Sequence, residues 1–476
     1  MMGHPEEEAP WPLGKKSRGE KRVTFPPDEE MVLAFSENRK PGQAGNSLTL
    51  TEIILAYKQS CIKHEVKPNP KTLDQIQVKY TNTTLKVKYT NVALKVKYTN
   101  VAFKRWPVWL LTLLPVLISV PGIHLDYGSC ESLEEILKSV QFNLINLQGA
   151  ELDENGATSL MDMILYYKSA THLDVSSNTS MGVSGWQALS YLLKQSECLR
   201  RLDACNISLQ DYPVQALSKA LHTSRLTVLH LENTCLSGRP LFTLVGSLKK
   251  NTVLQELYLC DNELNSYQDS MQLGLLLKYN HTLQTLDLSN NTISDSGLEE
   301  LCDGLRAQKY GLRALVLCNN QITHRGMTHL ESVLNRVSPQ PPSILLQPMS
   351  RSLEMLDLGR NNLENQGIHI LKEALISNRS LTQLILASVG ITCEGAVLLA
   401  EFLAESRLLQ TLDVRHNHVL TGGLMAFALA LRINRSLLQL ELDHNPKEET
   451  VTFWGMKTTA RFRKRAFGFT RSVHQS

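Results

Sequence analysis

Leucines recur along this chain at a fixed interval, three and then two residues apart, closed by an asparagine. The pattern LxxLxLxxNxL reads cleanly as LQELYLCDNEL from Leu254, LQTLDLSNNTI from Leu283, LRALVLCNNQI from Leu312 and LEMLDLGRNNL from Leu353. Weaker copies begin at Phe142, Ala170, Leu199, Leu226, Leu381, Leu409 and Leu437, which makes eleven. Successive starts lie 28, 29, 27, 28, 29, 29, 41, 28, 28 and 28 residues apart. In LxLxx the alternating leucines point to one side of a short strand, because side chains in a strand alternate with period two. The second half of each unit has helical spacing, as in Leu298, Leu301, Cys302 and Leu305.

A strand and a full helix within 28–29 residues is the long form of the leucine-rich repeat. No single unit can bury its own apolar face, so the core forms only by stacking neighbours. The fold predicted is α/β. It is a leucine-rich-repeat solenoid, a horseshoe of the ribonuclease-inhibitor type with parallel strands inside and helices outside. The asparagines Asn262, Asn291, Asn320, Asn361, Asn417 and Asn445 are expected to turn inward and bond backbone groups of adjacent turns. Ile207, Thr234 and Val389 replace that residue in three units, which predicts looser ladders there. The 41-residue interval marks an insertion near 337–349, where three prolines fall within four positions, so it should loop out.

The flanks read differently. Five regions are expected: 1–47, a disordered arm; 48–77, a helical N-terminal cap; 78–123, an atypical repeat and apolar insertion; 124–450, the repeat domain; and 451–476, a basic tail. Thr49-Leu50-Thr51-Glu52 is a capping-box sequence opening a helix through Ile53, Ile54, Tyr57 and Cys61. Residues 78–104 hold three near-identical nonapeptides, VKYTNTTLK, VKYTNVALK and VKYTNVAFK. An odd period flips a strand's faces at every copy, so no single amphipathic strand results. The uncharged run Trp106–Ile123 has 18 residues, but Pro107, Pro115 and Pro121 argue against a spanning helix. This region is read as translated tandem-repeat or non-coding DNA that displaces the first strand of the solenoid. The tail carries Lys457, Arg461, Arg463, Lys464, Arg465 and Arg471, read as a solvated basic segment, with nuclear import as the second reading.

Composition narrows the function classes. Lys plus Arg is 49 and Asp plus Glu 46, a net charge of +3, so no nucleic-acid partner is expected. Nine cysteines are widely spaced without a CxxC pair, which predicts neither a disulfide framework nor a zinc site and points to a reducing, cytoplasmic setting. The acidic N-terminus has no apolar core and is not read as a secretory signal. His416 and His418 are read as surface residues rather than ligands. Neither cofactor, metal nor membrane association is expected, and no catalytic constellation such as G-x-S-x-G, a Walker loop or HExxH is present.

One short motif carries function. Lys21-Arg22-Val23-Thr24-Phe25 in the polar arm fits the RVxF motif by which proteins dock on protein phosphatase 1. An extended peptide adds to a sheet edge, and alternate side chains enter apolar pockets. Val23 and Phe25 are two apart and share one face, Lys21 and Arg22 would meet acidic surface, and Pro26-Pro27 keeps the segment out of a helix. A second match, Lys138 to Phe142, is rejected because Phe142 occupies a leucine position of the first clear repeat and should be buried.

KRVTFPPDEE, AYKQSC, VLHLENTCLSGRPL, TCEGAVLLAEFLAES and TGGLMAFALAL, in that order, closely resemble the leucine-rich-repeat family of protein phosphatase 1 regulatory subunits. The resemblance covers roughly 20–77 and 124–450. Residues 78–123, 337–349 and those after about 453 depart from it, and the family's acidic, proline-rich C-terminal region has no counterpart. It implies a non-enzymatic subunit that binds the phosphatase catalytic subunit and inhibits it, with Arg22, Val23 and Phe25 docking. A further protein is expected on the concave face. Two rival readings are a GTPase-activating module and a general interaction scaffold in which the arm motif is accidental.

Overall fold

The computed structural model describes residues 49–76, 117–119, 124–308, 311–335, 353–443, 450–453 and 456–459. The chain divides into two units, Met1–Gln43 and Ala44–Ser476, and all described residues belong to the second. Twelve strands form one parallel sheet in strict chain order. They are β1 Leu117–Ser119, β2 Phe142–Asn146, β3 Ala170–Asp174, β4 Arg201–Asp203, β5 Val228–His230, β6 Glu256–Tyr258, β7 Thr285–Asp287, β8 Ala314–Val316, β9 Met355–Asp357, β10 Gln383–Ile385, β11 Thr411–Asp413 and β12 Gln439–Glu441. From β2 onward a helix separates each strand from the next, so the architecture is a leucine-rich-repeat solenoid. Thr450–Phe453 and Met456–Thr459 pair as a separate antiparallel hairpin.

The leucines drive this arrangement. Leu257, Leu286, Leu315, Leu356, Leu384 and Leu412 are partners in register, and each is fully buried. Each buried leucine contributes about 1.5–3 kcal/mol relative to an exposed one, and the stack repeats that gain at every turn. The insertion leaves the register intact, since Ala314 of β8 still pairs with Met355 of β9. Residues 336–352, which contain it, lie outside the described region.

The asparagine ladder forms as read. Asn291 Nδ2 donates to the carbonyls of Leu259, Leu288 and Ser289 at 2.8–3.0 Å, while its Oδ1 accepts from Asn262 N at 2.8 Å. Asn320, Asn361 and Asn417 repeat the scheme, and Asn445 lies outside the described residues. Asn178, a ladder residue not singled out from sequence, donates to Leu147 O and accepts from Leu152 N. The looser ladder expected at Thr234 is seen in its bonds. The threonine hydroxyl reaches Leu231 O at 3.1 Å in its own repeat and Asn262 Oδ1 at 2.9 Å in the next, whereas the asparagines also reach a carbonyl of the preceding repeat. The residue before each ladder position is left-handed, with φ between 52° and 61° from Ser177 through His416. Asn, Asp and Ser hold most of these places, which suits residues that tolerate that conformation.

A second asparagine series closes the helices. Asn251, Asn280, Asn378 and Asn434 donate to Leu221, Leu248, Leu334 and Leu403 carbonyls of the preceding unit, at 2.6–2.9 Å. Their Oδ1 atoms accept from backbone N–H groups two or three residues on.

The N-terminal end of the solenoid bears on two of the expectations. Helix α1, Leu50–Lys63, starts with a complete capping box, in which Thr49 and Glu52 bond each other's backbone. Ile53, Tyr57 and Cys61 form its buried stripe, and it packs on Tyr127–Ser132 and Glu134–Ser139 at the start of the solenoid. The 78–123 segment was expected to displace the first strand, and this is corrected. The end of its apolar run supplies β1, whose Leu117, Ile118 and Ser119 pair with Leu144, Ile145 and Asn146. Gln75 secures that strand, since its side chain bonds the Ser119 backbone at 2.6 and 2.9 Å. Among the described residues no helix is long and apolar enough to cross a membrane.

Candidate functional site: the sheet face

Residues beside the buried leucine of each strand point away from the core and form rows across the sheet. One row runs His172, Arg201, Val228, Glu256, Thr285. Two residues later, Asp174, Asp203, His230, Tyr258 and Asp287 lie in register, and the row continues through Val316, Asp357, Ile385 and Asp413 to Glu441. Cys205, Glu232 and Cys260 follow just beyond the strands, where Asn206 N donates to Glu232 O and Asn233 N to Cys260 O.

The densest chemistry lies on β3–β6. Asp203 Oδ2 is 2.6 Å from His172 Nε2, and Arg201 Nε lies 2.9 Å from Asp203 Oδ1. Burial pushes this carboxyl up, but the His172 and Arg201 hydrogen bonds outweigh it and hold Asp203 below its ordinary value. His230 sits between two acids, with Nδ1 3.8 Å from Asp203 Oδ1 and Nε2 3.3 Å from Glu232 Oε2. Its ring leans on Tyr258 with centroids 5.2 Å apart. Burial, aided by the bond to Glu256, pushes the Tyr258 hydroxyl up to about 12.

Further along, the carboxylates differ in how they are paired. Arg415 holds Asp413 through both oxygens at 2.6–3.1 Å. The Asp357 carboxylate accepts the Gly359 N–H at 2.8 Å, and burial, followed by Asp287 and Asp413, raises it. A face with this composition suits polar recognition of another chain.

Lys21, Arg22, Val23, Thr24 and Phe25 lie outside the described residues. The rejected second match behaves as expected, for Val140 and Phe142 are buried. His416 and His418 are exposed, and His416 N and ring face Asp443. Sequence reading missed the whole β3–β6 cluster, because its members occupy the variable positions of the consensus. Only their shared place in each repeat would have brought them together.

A leucine-rich-repeat family model matches residues 279–302 and 405–428. Protein phosphatase 1 regulatory subunit 37 of Bos taurus is 45% identical over 322 residues, 67% of this chain and 42% of that protein. The Homo sapiens protein of the same name is 45% identical over 333 residues, 70% of this chain and 44% of its own. Its Caenorhabditis elegans homolog is 33% identical over 326 residues, 66% of this chain and 31% of its own. The chain thus spans less than half the length of each of these relatives. It is a leucine-rich-repeat protein, homologous over about two thirds of its length to the proteins named protein phosphatase 1 regulatory subunit 37.

Proposed function

We propose that this chain is a non-enzymatic regulatory subunit that docks on the catalytic subunit of protein phosphatase 1 and inhibits it. The observation that carries this reading is the 45% identity to proteins named as regulatory subunits of that phosphatase. Arg22-Val23-Thr24-Phe25 supplies the contact, with Lys21 and Arg22 on acidic surface and Val23 and Phe25 as apolar anchors. The sheet face takes a further protein. The chain works in the cytoplasm, with the basic tail available for nuclear import.

The experiment is capture of purified catalytic subunit by the full-length chain and by its Val23→Ala/Phe25→Ala variant, with phosphatase activity measured alongside. Loss of capture and of inhibition in the variant supports the proposal. Equal capture by both chains refutes docking through the arm, and capture without inhibition refutes the inhibitory role.

A further inference from the structure

The cluster on β4 and β5 has the make-up of a metal centre. Cys205, His230 and Glu232 each present one ligand atom, and the three atoms lie within 4.8 Å of one another. We propose that these residues bind a zinc ion on the sheet face, with the Asp203 carboxylate as a nearby negative charge.

Three observations support the assignment. First, thiolate, imidazole and carboxylate are the ligand types zinc takes, and three protein ligands with an open fourth place is an established arrangement. Second, the spacing is close to what zinc needs. Bonds of about 2.0–2.3 Å in a tetrahedron separate ligand atoms by roughly 3.3–3.6 Å. His230 Nε2 and Glu232 Oε2 are already 3.3 Å apart, and Cys205 needs a small side-chain adjustment to close the triangle. Third, the outer contacts are built. The Tyr258 ring leans on the His230 imidazole with centroids 5.2 Å apart, and Asp203 Oδ1 lies 3.8 Å from His230 Nδ1, an electrostatic contact beyond hydrogen-bond reach. Asp203 is itself fixed by His172 and Arg201.

On binding, the Cys205 thiol releases its proton to solvent and its sulfur donates a lone pair to zinc. The fourth position takes water or a side chain of a protein docked on this face, since the Glu232 and His230 side chains are 44% and 25% exposed. Sequence spacing predicted no zinc site, because the ligands come from two adjacent repeats rather than from a CxxC pair.

The test uses the full-length chain, stripped with chelator and titrated with Zn2+ against a chromogenic competitor. One zinc per chain is expected, weakened by roughly tenfold or more in Cys205→Ser and His230→Ala. Cys235→Ser, at an exposed thiol outside the trio, should bind as the parent does. Added Co2+ should give a thiolate charge-transfer band that Cys205→Ser lacks. Glu232→Gln, at the most exposed of the three ligands, serves if the other variants fail to fold. No stoichiometric zinc, or equal affinity in parent and variants, overturns the site.

Discussion

Thr234 and Asn262 meet twice: the Thr234 backbone N–H and its hydroxyl both lie 2.9 Å from Asn262 Oδ1. The hydroxyl, with its single proton, also lies 3.1 Å from Leu231 O, and it fills only part of the place that elsewhere takes a whole amide. Thr234→Val keeps the shape and removes that donor, and should cost about 1 kcal/mol. Asn291→Ala strips donors from three carbonyls and the acceptor from Asn262 N, and should cost about 2–4 kcal/mol. Urea unfolding of the two variants checks the order. An Asn291→Ala loss no larger than that of Thr234→Val contradicts it.

Helices Tyr267–Tyr279 and Ser294–Ala307 approach through glycine. A Cβ added at Gly304 would stand 2.2 Å from Gly274 O, and one at Gly274 would stand 2.4 Å from Glu300 O. Backbone atoms cannot yield as a flexible side chain does. Gly304→Ala should therefore destabilise by about 1–3 kcal/mol. At Gly246 nothing lies within 4 Å, and Gly246→Ala in a helix interior should stabilise slightly. Thermal melts of both variants read the contrast.

Asp203 and Asp357 should respond to pH with opposite signs. The folded Asp203 carboxyl is held below its ordinary value, so its stabilisation is present above the unfolded value, about 3.9, and is lost as pH falls through the lower folded value. Asp357 is raised, so its ionisation costs stability once pH passes above the unfolded value, and the full cost is present above the folded one. At pH 7, Asp203→Asn should lower stability by about 1–2 kcal/mol, while Asp357→Asn should raise it. Stability curves between pH 2 and 7 test this, and the same sign for both variants contradicts it.

Within the proposed docking motif, Thr24 is the variable position and follows two basic residues. In an added strand it points opposite to Val23 and Phe25. A phosphate there adds about −1.5 to −2 charges beside a surface that must be acidic to receive Lys21 and Arg22. Calorimetry of a peptide spanning 15–35 should show severalfold weaker binding to the catalytic subunit when Thr24 is phosphorylated. Equal binding at physiological salt removes the switch.

The fold was legible because the leucine spacing is set by strand and helix geometry, and the buried strand leucines of the four clean repeats follow from it. Asn178 was overlooked because its repeat opens on Ala170. β1 was hidden because Leu117–Ser119 sits within a run that resembles no repeat. The β3–β6 cluster was invisible for a different reason. His172, Asp203 and the pair His230 and Glu232 come from three successive repeats, and only the register, His172 beside Arg201 and Asp203 beside His230, joins them.

The unbroken pairing of Ala314 with Met355 makes the sheet a ruler whose graduations ignore chain length. Neighbouring strands sit about 4.8 Å apart however many residues the connection between them holds. A ligand lying across the strands therefore counts repeats and never residues. Length added on the helix side of this junction changes what the outer surface offers while the inner message keeps its spelling.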